Sequence, residues 1–144
     1  MRAVSRVADV SINTVTKVLT EAATASRDWQ DAALRKLSCK RVQWDETWSF
    51  VGMKQKNVPA ELRGVGGVYT WPAIDRDTKL APCWHVSVRY AHAAHHFMGN
   101  LADRLAHRIE LTADGYTVYL TAVADALNGH VDNAMLVKFT RRCA

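Results

Sequence analysis

Two short stretches of this chain carry acids where acids are costly. Asp45 lies in Gln43-Trp44-Asp45-Glu46-Thr47-Trp48, among aromatic and β-branched residues. Asp114 follows Leu111-Thr112-Ala113 and stands directly before Gly115, with Tyr116 and Tyr119 just beyond. A carboxylate inside an aromatic strand is expensive to bury unless it is paired or bound to a cation. A carboxylate at the end of a buried strand, before a helix, lies where open α/β sheets place their ligands. If the two strands are neighbours, Asp45 and Asp114 converge. Two converging carboxylates suit Mg²⁺, a hard cation that takes oxygen ligands, with Mn²⁺ as the substitute. Spacing alone favours a plainer arrangement, one Asp solvated on a strand face and the other in a surface turn.

Other chemistry-bearing residues give weaker signals. His92, His95 and His96 fall at i, i+3 and i+4, a spacing able to bind a transition metal. Alanines and Phe97 surround them, and a solvated helix face is the expectation. Lys54, Lys56 and Arg63 flank a glycine-bearing loop, read as a solvated hairpin tip, with phosphate contact as the alternative. Trp44, Trp48, Trp71 and Trp84 are all expected on strands, packed in the core rather than stacking on bases.

The elements that must hold these residues can be read from periodicity. Arg2 to Ala8 is a short helical stretch, and Asp9-Val10-Ser11 is a tight turn. From Ser11, apolar Ile12, Val15, Val18, Leu19 and Ala22 form a helical stripe. Ser11 is the expected N-cap. Short helix, turn and longer helix is the helix-turn-helix arrangement. Residues 27–40 read as a charged helical linker. From Arg41 the period changes to alternation, with Val42, Trp44, Trp48 and Phe50 against Gln43, Asp45, Thr47 and Ser49. Further strands are expected over 68–74 and 79–88, a helix over 91–108, and a strand over 109–113. A helix over 116–127 and a last strand over 131–139 follow. From residue 41 the order is β-β-β-α-β-α-β, an α/β fold whose first three strands form an antiparallel meander.

Composition limits the alternatives. The chain has 144 residues, 49% hydrophobic and 23% charged, which suits one globular domain with a small appendage and excludes a largely disordered chain. No apolar run of about 18 residues exists to span a membrane, and the N-terminal residues lack an apolar signal core. Lys+Arg is 19 against Asp+Glu 14, a formal charge of +5, which favours anionic partners such as nucleic acid. Cys39, Cys83 and Cys143 are odd in number and far apart. They form no disulfide framework and fit a reducing cytoplasm.

Three segments, QWDETWSFVG, YTWPAIDRDTKL and LTADGYTVYL, resemble in order the DDE transposases of the insertion-sequence-one family. The resemblance covers most of the chain. It implies a ribonuclease H-like catalytic domain over residues 41–144, a helical linker over 27–40 and a partial helix-turn-helix over 1–26. It implies that Asp45 and Asp114 are the first two catalytic acids and the ligands of Mg²⁺ or Mn²⁺. It implies double-stranded DNA at the element ends as the partner, leaves room for a homo-oligomer, and involves no membrane. The DNA-reading residues would be Asn13, Thr14 and Lys17, with Lys54 and Lys56 in the basic loop. In the family a third acid, a Glu, stands on a helix after the last strand. After Asp114 this sequence contains no Glu; Asp125 and Asp132 come too early. The expectation is a transposase fragment lacking strand-transfer activity, or a non-enzymatic DNA-binding remnant competing at element ends. Pro72, in a strand expected to be internal, is a further departure, because proline is normally confined to edges and bulges.

Overall fold

Ser11 caps its helix as expected: its hydroxyl oxygen accepts the Thr14 N–H at 3.1 Å in the computed structural model. The structure describes residues 1–114 and 118–136, with the backbone alone at Asp114, Val118, Tyr119 and Leu136. The chain divides into two compact units, residues 1–35 and the remainder from Lys36.

The first unit is a pair of helices, α1 (Arg2–Ala8) and α2 (Ile12–Ala33). Asp9 closes α1 in the left-handed conformation, at φ 51°, which Asp tolerates better than most residues. α2 runs on through 27–33, the first half of the segment read as a charged helical linker. No Gly or Pro interrupts Ile12–Ala33. Thr16, Thr20 and Thr24 each donate a hydroxyl bond to the carbonyl four residues earlier, at 2.9–3.0 Å, so these polar side chains are satisfied along the helix. Neither helix buries a residue.

The second unit is mixed α/β. It contains β1 (Arg41–Trp44), β2 (Thr47–Val51), β3 (Gly66–Asp75), β4 (Trp84–Ser87), α3 (Ala91–Ala102), β5 (Ile109–Asp114), α4 (Val118–Leu127) and β6 (Val131–Leu136). The long strand β3 pairs antiparallel with β1 and β2 along one edge and with β4 along the other. β1 pairs parallel with β5, and β5 parallel with β6. Reading β1 and β2 as two halves of one strand, the order across the sheet is β4, β3, β1/β2, β5, β6, with mixed orientation.

Alternation decides which side of this sheet is the core. Val42, Trp44, Trp71, Ala73, Ile109, Leu111 and Ala113 are buried, and α3 and α4 pack together over them through Phe97, Met98, Leu101, Ala122 and Val123. Phe97 stands edge-on to Trp44 (ring centroids 5.2 Å apart) and to Trp71 (6.2 Å). Such aromatic contacts add to the burial itself. Two of the four strand tryptophans depart from the expected core role. Trp48 and Trp84 are about half exposed; Trp84, paired with Pro72, lies by alternation on the face opposite the core. Cys39 and Cys83 are buried, as small hydrophobes are; Cys143 lies outside the described residues, as do the expected strand residues 137–139.

Candidate functional site

Register places the two acids together. Arg41, Val42 and Gln43 of β1 lie beside Glu110, Leu111 and Thr112 of β5. Continued one for one, Trp44 falls beside Ala113 and Asp45 beside Asp114. Both acids stand at the C-terminal ends of adjacent parallel strands, where the spacing between strands is about 4.8 Å. Gln43 is exposed and Val42 and Trp44 are buried, while Glu110 is exposed and Leu111 and Ala113 are buried. Position 45 continues the exposed set of β1, and position 114 continues that of β5. Only the backbone of Asp114 is described, so its side-chain placement lies outside the described residues.

The face carrying Asp45 is open. Within this unit, among the described residues, no helix packs against it, and Gln43, Ile74, Glu110 and Ala134 are exposed there. A shallow pocket of about 340 Å³ lies on it, lined by Gln43, Asp45, Pro72, Ile74 and Thr112 among others. Asp45 Oδ1 accepts the N–H of Glu46 at 2.8 Å. The lining is mostly apolar, and its oxygen-bearing side chains are those of Asp45, Gln43 and Thr112. Oxygen donors are the kind Mg²⁺ or Mn²⁺ takes, rather than a soft metal. Among the described residues no group of three or more His, Cys, Asp and Glu side chains is placed to hold a metal ion.

Asp45 sits at a break in its strand, and the cause lies across the ladder. Trp44 faces Ala73 and Thr47 faces Thr70, so the register is common to β1 and β2 and sets Asp45 opposite Pro72. Even-numbered positions of β3 turn their N–H toward β1: Arg76 N–H donates to the Arg41 carbonyl at 2.8 Å. Ala73 N–H turns the other way, to the Cys83 carbonyl at 3.0 Å. Pro72 occupies an even position and has no N–H to give. The ladder fails there, and Asp45 and Glu46 fall between two strands rather than within one.

Glu46 takes the other face. Its side chain is 6% exposed and ion-pairs with Arg89, whose guanidinium lies 5.8 Å over the Tyr69 ring. Arg89 was not conspicuous in the sequence, because a pair this distant along the chain has no local signature. Glu46 therefore points away from the open face, as alternation along the strand predicts.

The remaining expected residues lie elsewhere. Asn13 and Lys17 are exposed, one turn apart on α2, and Lys17 pairs with Glu21 at 3.8 Å. Thr14 is exposed but differently engaged. Its hydroxyl lies 2.9 Å from that of Ser11, and it borders an apolar groove with Val4, Val10, Val15 and Val18. Lys54 and Lys56 are exposed around a short 3₁₀ turn, Gln55–Asn57, and Arg63 is exposed in the same connection. His92 and His96 are exposed and His95 is half-buried. His96 has a neighbour that the sequence did not reveal, the His85 ring on β4, with centroids 4.9 Å apart. Burial, and then the adjacent His96, hold His85 below the usual histidine range.

No family model and no curated protein matches this chain.

Proposed function

We propose that this chain is of the DDE transposase kind, with a ribonuclease H-like domain whose Asp45 and Asp114 bind divalent cations at a DNA phosphate. The carrying observation is the parallel pairing of β1 with β5; continued past Gln43 and Thr112, that register brings positions 45 and 114 to the adjoining C-terminal ends of neighbouring strands. The strand order β4, β3, β1/β2, β5, β6, antiparallel then parallel, supports the same reading. So do the three sequence segments and the basic charge of +5.

On this reading Asp45 and Asp114 hold the cations and bring the scissile phosphate to the open face. The bound cations would activate the attacking oxygen and stabilise the leaving one in an in-line displacement. Asn13 and Lys17 contact duplex DNA at the element ends, Asn13 at a base edge and Lys17 at a phosphate or guanine. Thr14 serves the helix cap first. Lys54 and Lys56 supply further phosphate contacts, and Lys17→Ala should lower affinity across sequences and flatten its salt dependence. The setting is the cytoplasm. One observation favours a second reading, a non-enzymatic DNA-binding protein: Glu46, the acid next to Asp45, is committed to Arg89 on the other face.

The experiment is to incubate a pre-cut DNA end and a target duplex with Mn²⁺. One arm holds the 144-residue chain, and the other holds the same chain extended by a helix bearing a Glu. Joining by the extended chain alone, abolished by Asp45→Asn, is the expected result. Joining that survives Asp45→Asn overturns the assignment. DNA binding without joining in either arm selects the second reading.

A further inference from the structure

A buried ion pair is weak evidence for stability, since a well-packed apolar pair is commonly as good or better. Glu46 and Arg89 nonetheless form one beside Tyr69, with the Glu46 side chain 6% exposed. Their place in the fold suggests another use. At Asp45 the ladder bond from β3 is missing, because Pro72 opposite offers no N–H. The hydrogen-bond ladder helps decide which way each side chain of a strand faces. Where it is weakened, side chains take a larger share of that task, and Glu46 is anchored by its ion pair with Arg89.

We propose that Glu46, held by Arg89 on the core side of the sheet, is the positioning residue of the Asp45 carboxylate. The proposal rests on the reading of Asp45 as a cation ligand and extends it. Successive residues of an extended chain point to opposite faces, so fixing Glu46 inward fixes Asp45 outward. The same residue acts a second time through its backbone. Glu46 N–H donates to Asp45 Oδ1 at 2.8 Å, which restricts the rotation of the carboxylate. Arg89 reaches this point from the connection between β4 and α3, so one arginine ties that connection to the break in the first strand. Groups that orient a metal ligand without touching the metal are commonly worth about 10- to 100-fold in metal affinity.

The test uses the whole 144-residue chain and two readouts. The first is the through-hydrogen-bond NMR coupling between the Asp45 carboxyl carbon and the residue-46 amide nitrogen, measured without metal. The second is Mn²⁺ affinity by calorimetry, with Asp45→Asn as the reference for loss of the ligand. Glu46→Gln/Arg89→Met replaces the pair by neutral groups of similar shape, so no buried charge is stranded. Arg89→Lys keeps the charge, loses the planar fork, and serves if the double variant does not fold. The expected result is a coupling present in the native chain, lost in the double variant and weakened in Arg89→Lys. Mn²⁺ affinity should fall about tenfold or more in the double variant. A folded double variant that keeps both the coupling and the affinity overturns the proposal, as does absence of the coupling from the native chain. If the native chain keeps the coupling but binds Mn²⁺ no better than Asp45→Asn, the cation reading fails and the positioning of Asp45 stands.

Discussion

Pro72→Val should close the gap in the first strand. Position 72 turns its backbone nitrogen toward Asp45, as Arg76 turns its own toward Arg41 at 2.8 Å. Valine restores an N–H there, opposite the Asp45 carbonyl. One added backbone hydrogen bond contributes about 0.5–1.5 kcal/mol. Losing proline's restriction of the unfolded chain costs about 0.4–1 kcal/mol. The two nearly cancel, so stability should move by no more than about 1 kcal/mol. The informative change is local. The amide introduced at position 72 should exchange its proton slowly, like its neighbour Ala73, whose N–H is bonded to Cys83. Hydrogen exchange followed residue by residue, alongside urea unfolding, reads both quantities. A position-72 amide exchanging as fast as the exposed loop around Gly64 would refute the account of the break. So would destabilisation beyond about 2 kcal/mol, since that would mean the proline is required by packing rather than tolerated at a gap.

Phe97→Ala, which removes the ring between Trp44 and Trp71, should cost about 3–5 kcal/mol in urea unfolding; a loss under about 1 kcal/mol would show that the core is not centred there. Asp75 is held below the usual carboxylate range, chiefly by the Thr78 hydroxyl and also by the Thr78 N–H. Its contribution is therefore present above the unfolded value of about 3.9 and is lost as pH falls through the lower folded value. In Thr78→Val that loss should be smaller and complete at higher pH, measured as stability between neutral and acid; an unchanged acid limb would remove Thr78 as the cause. His85 is depressed by burial and by His96, so its contribution is present above the unfolded value of about 6.5 and is lost as pH falls below it. His96→Ala should move the His85 titration, followed by NMR, back toward the ordinary range, and no movement would show that burial alone sets it.

The parts of this molecule legible in the sequence are those governed by local rules. Ser11 caps α2 because a hydroxyl three residues before a free N–H is a short-range arrangement. Val42 and Trp44 face the core because alternation is built into an extended chain. The helical character of residues 27–33 was legible as well, but the point where α2 ends, at Ala33, was not. The break at Asp45–Glu46 was invisible because its cause, Pro72, lies on another strand and acts only once the register is known. Pro72 had been conspicuous as an oddity, but its target had not. The exposure of Trp84 depends on which face β4 turns outward, and that is not written in its own neighbourhood. For the same reason the candidate site was half legible. Asp45 and Asp114 stood out by type and context, while Glu46, Arg89 and Pro72 acquire meaning only through pairing.

The most direct test of the Asp45–Asp114 site is anomalous diffraction from crystals of this chain grown with Mn²⁺. The account predicts an anomalous peak at the open face, bound by the carboxylates of Asp45 and Asp114 at the adjoining ends of β1 and β5. Ordered Asp45 and Asp114 side chains with no peak between them, or a peak at His85 and His96 instead, would contradict it.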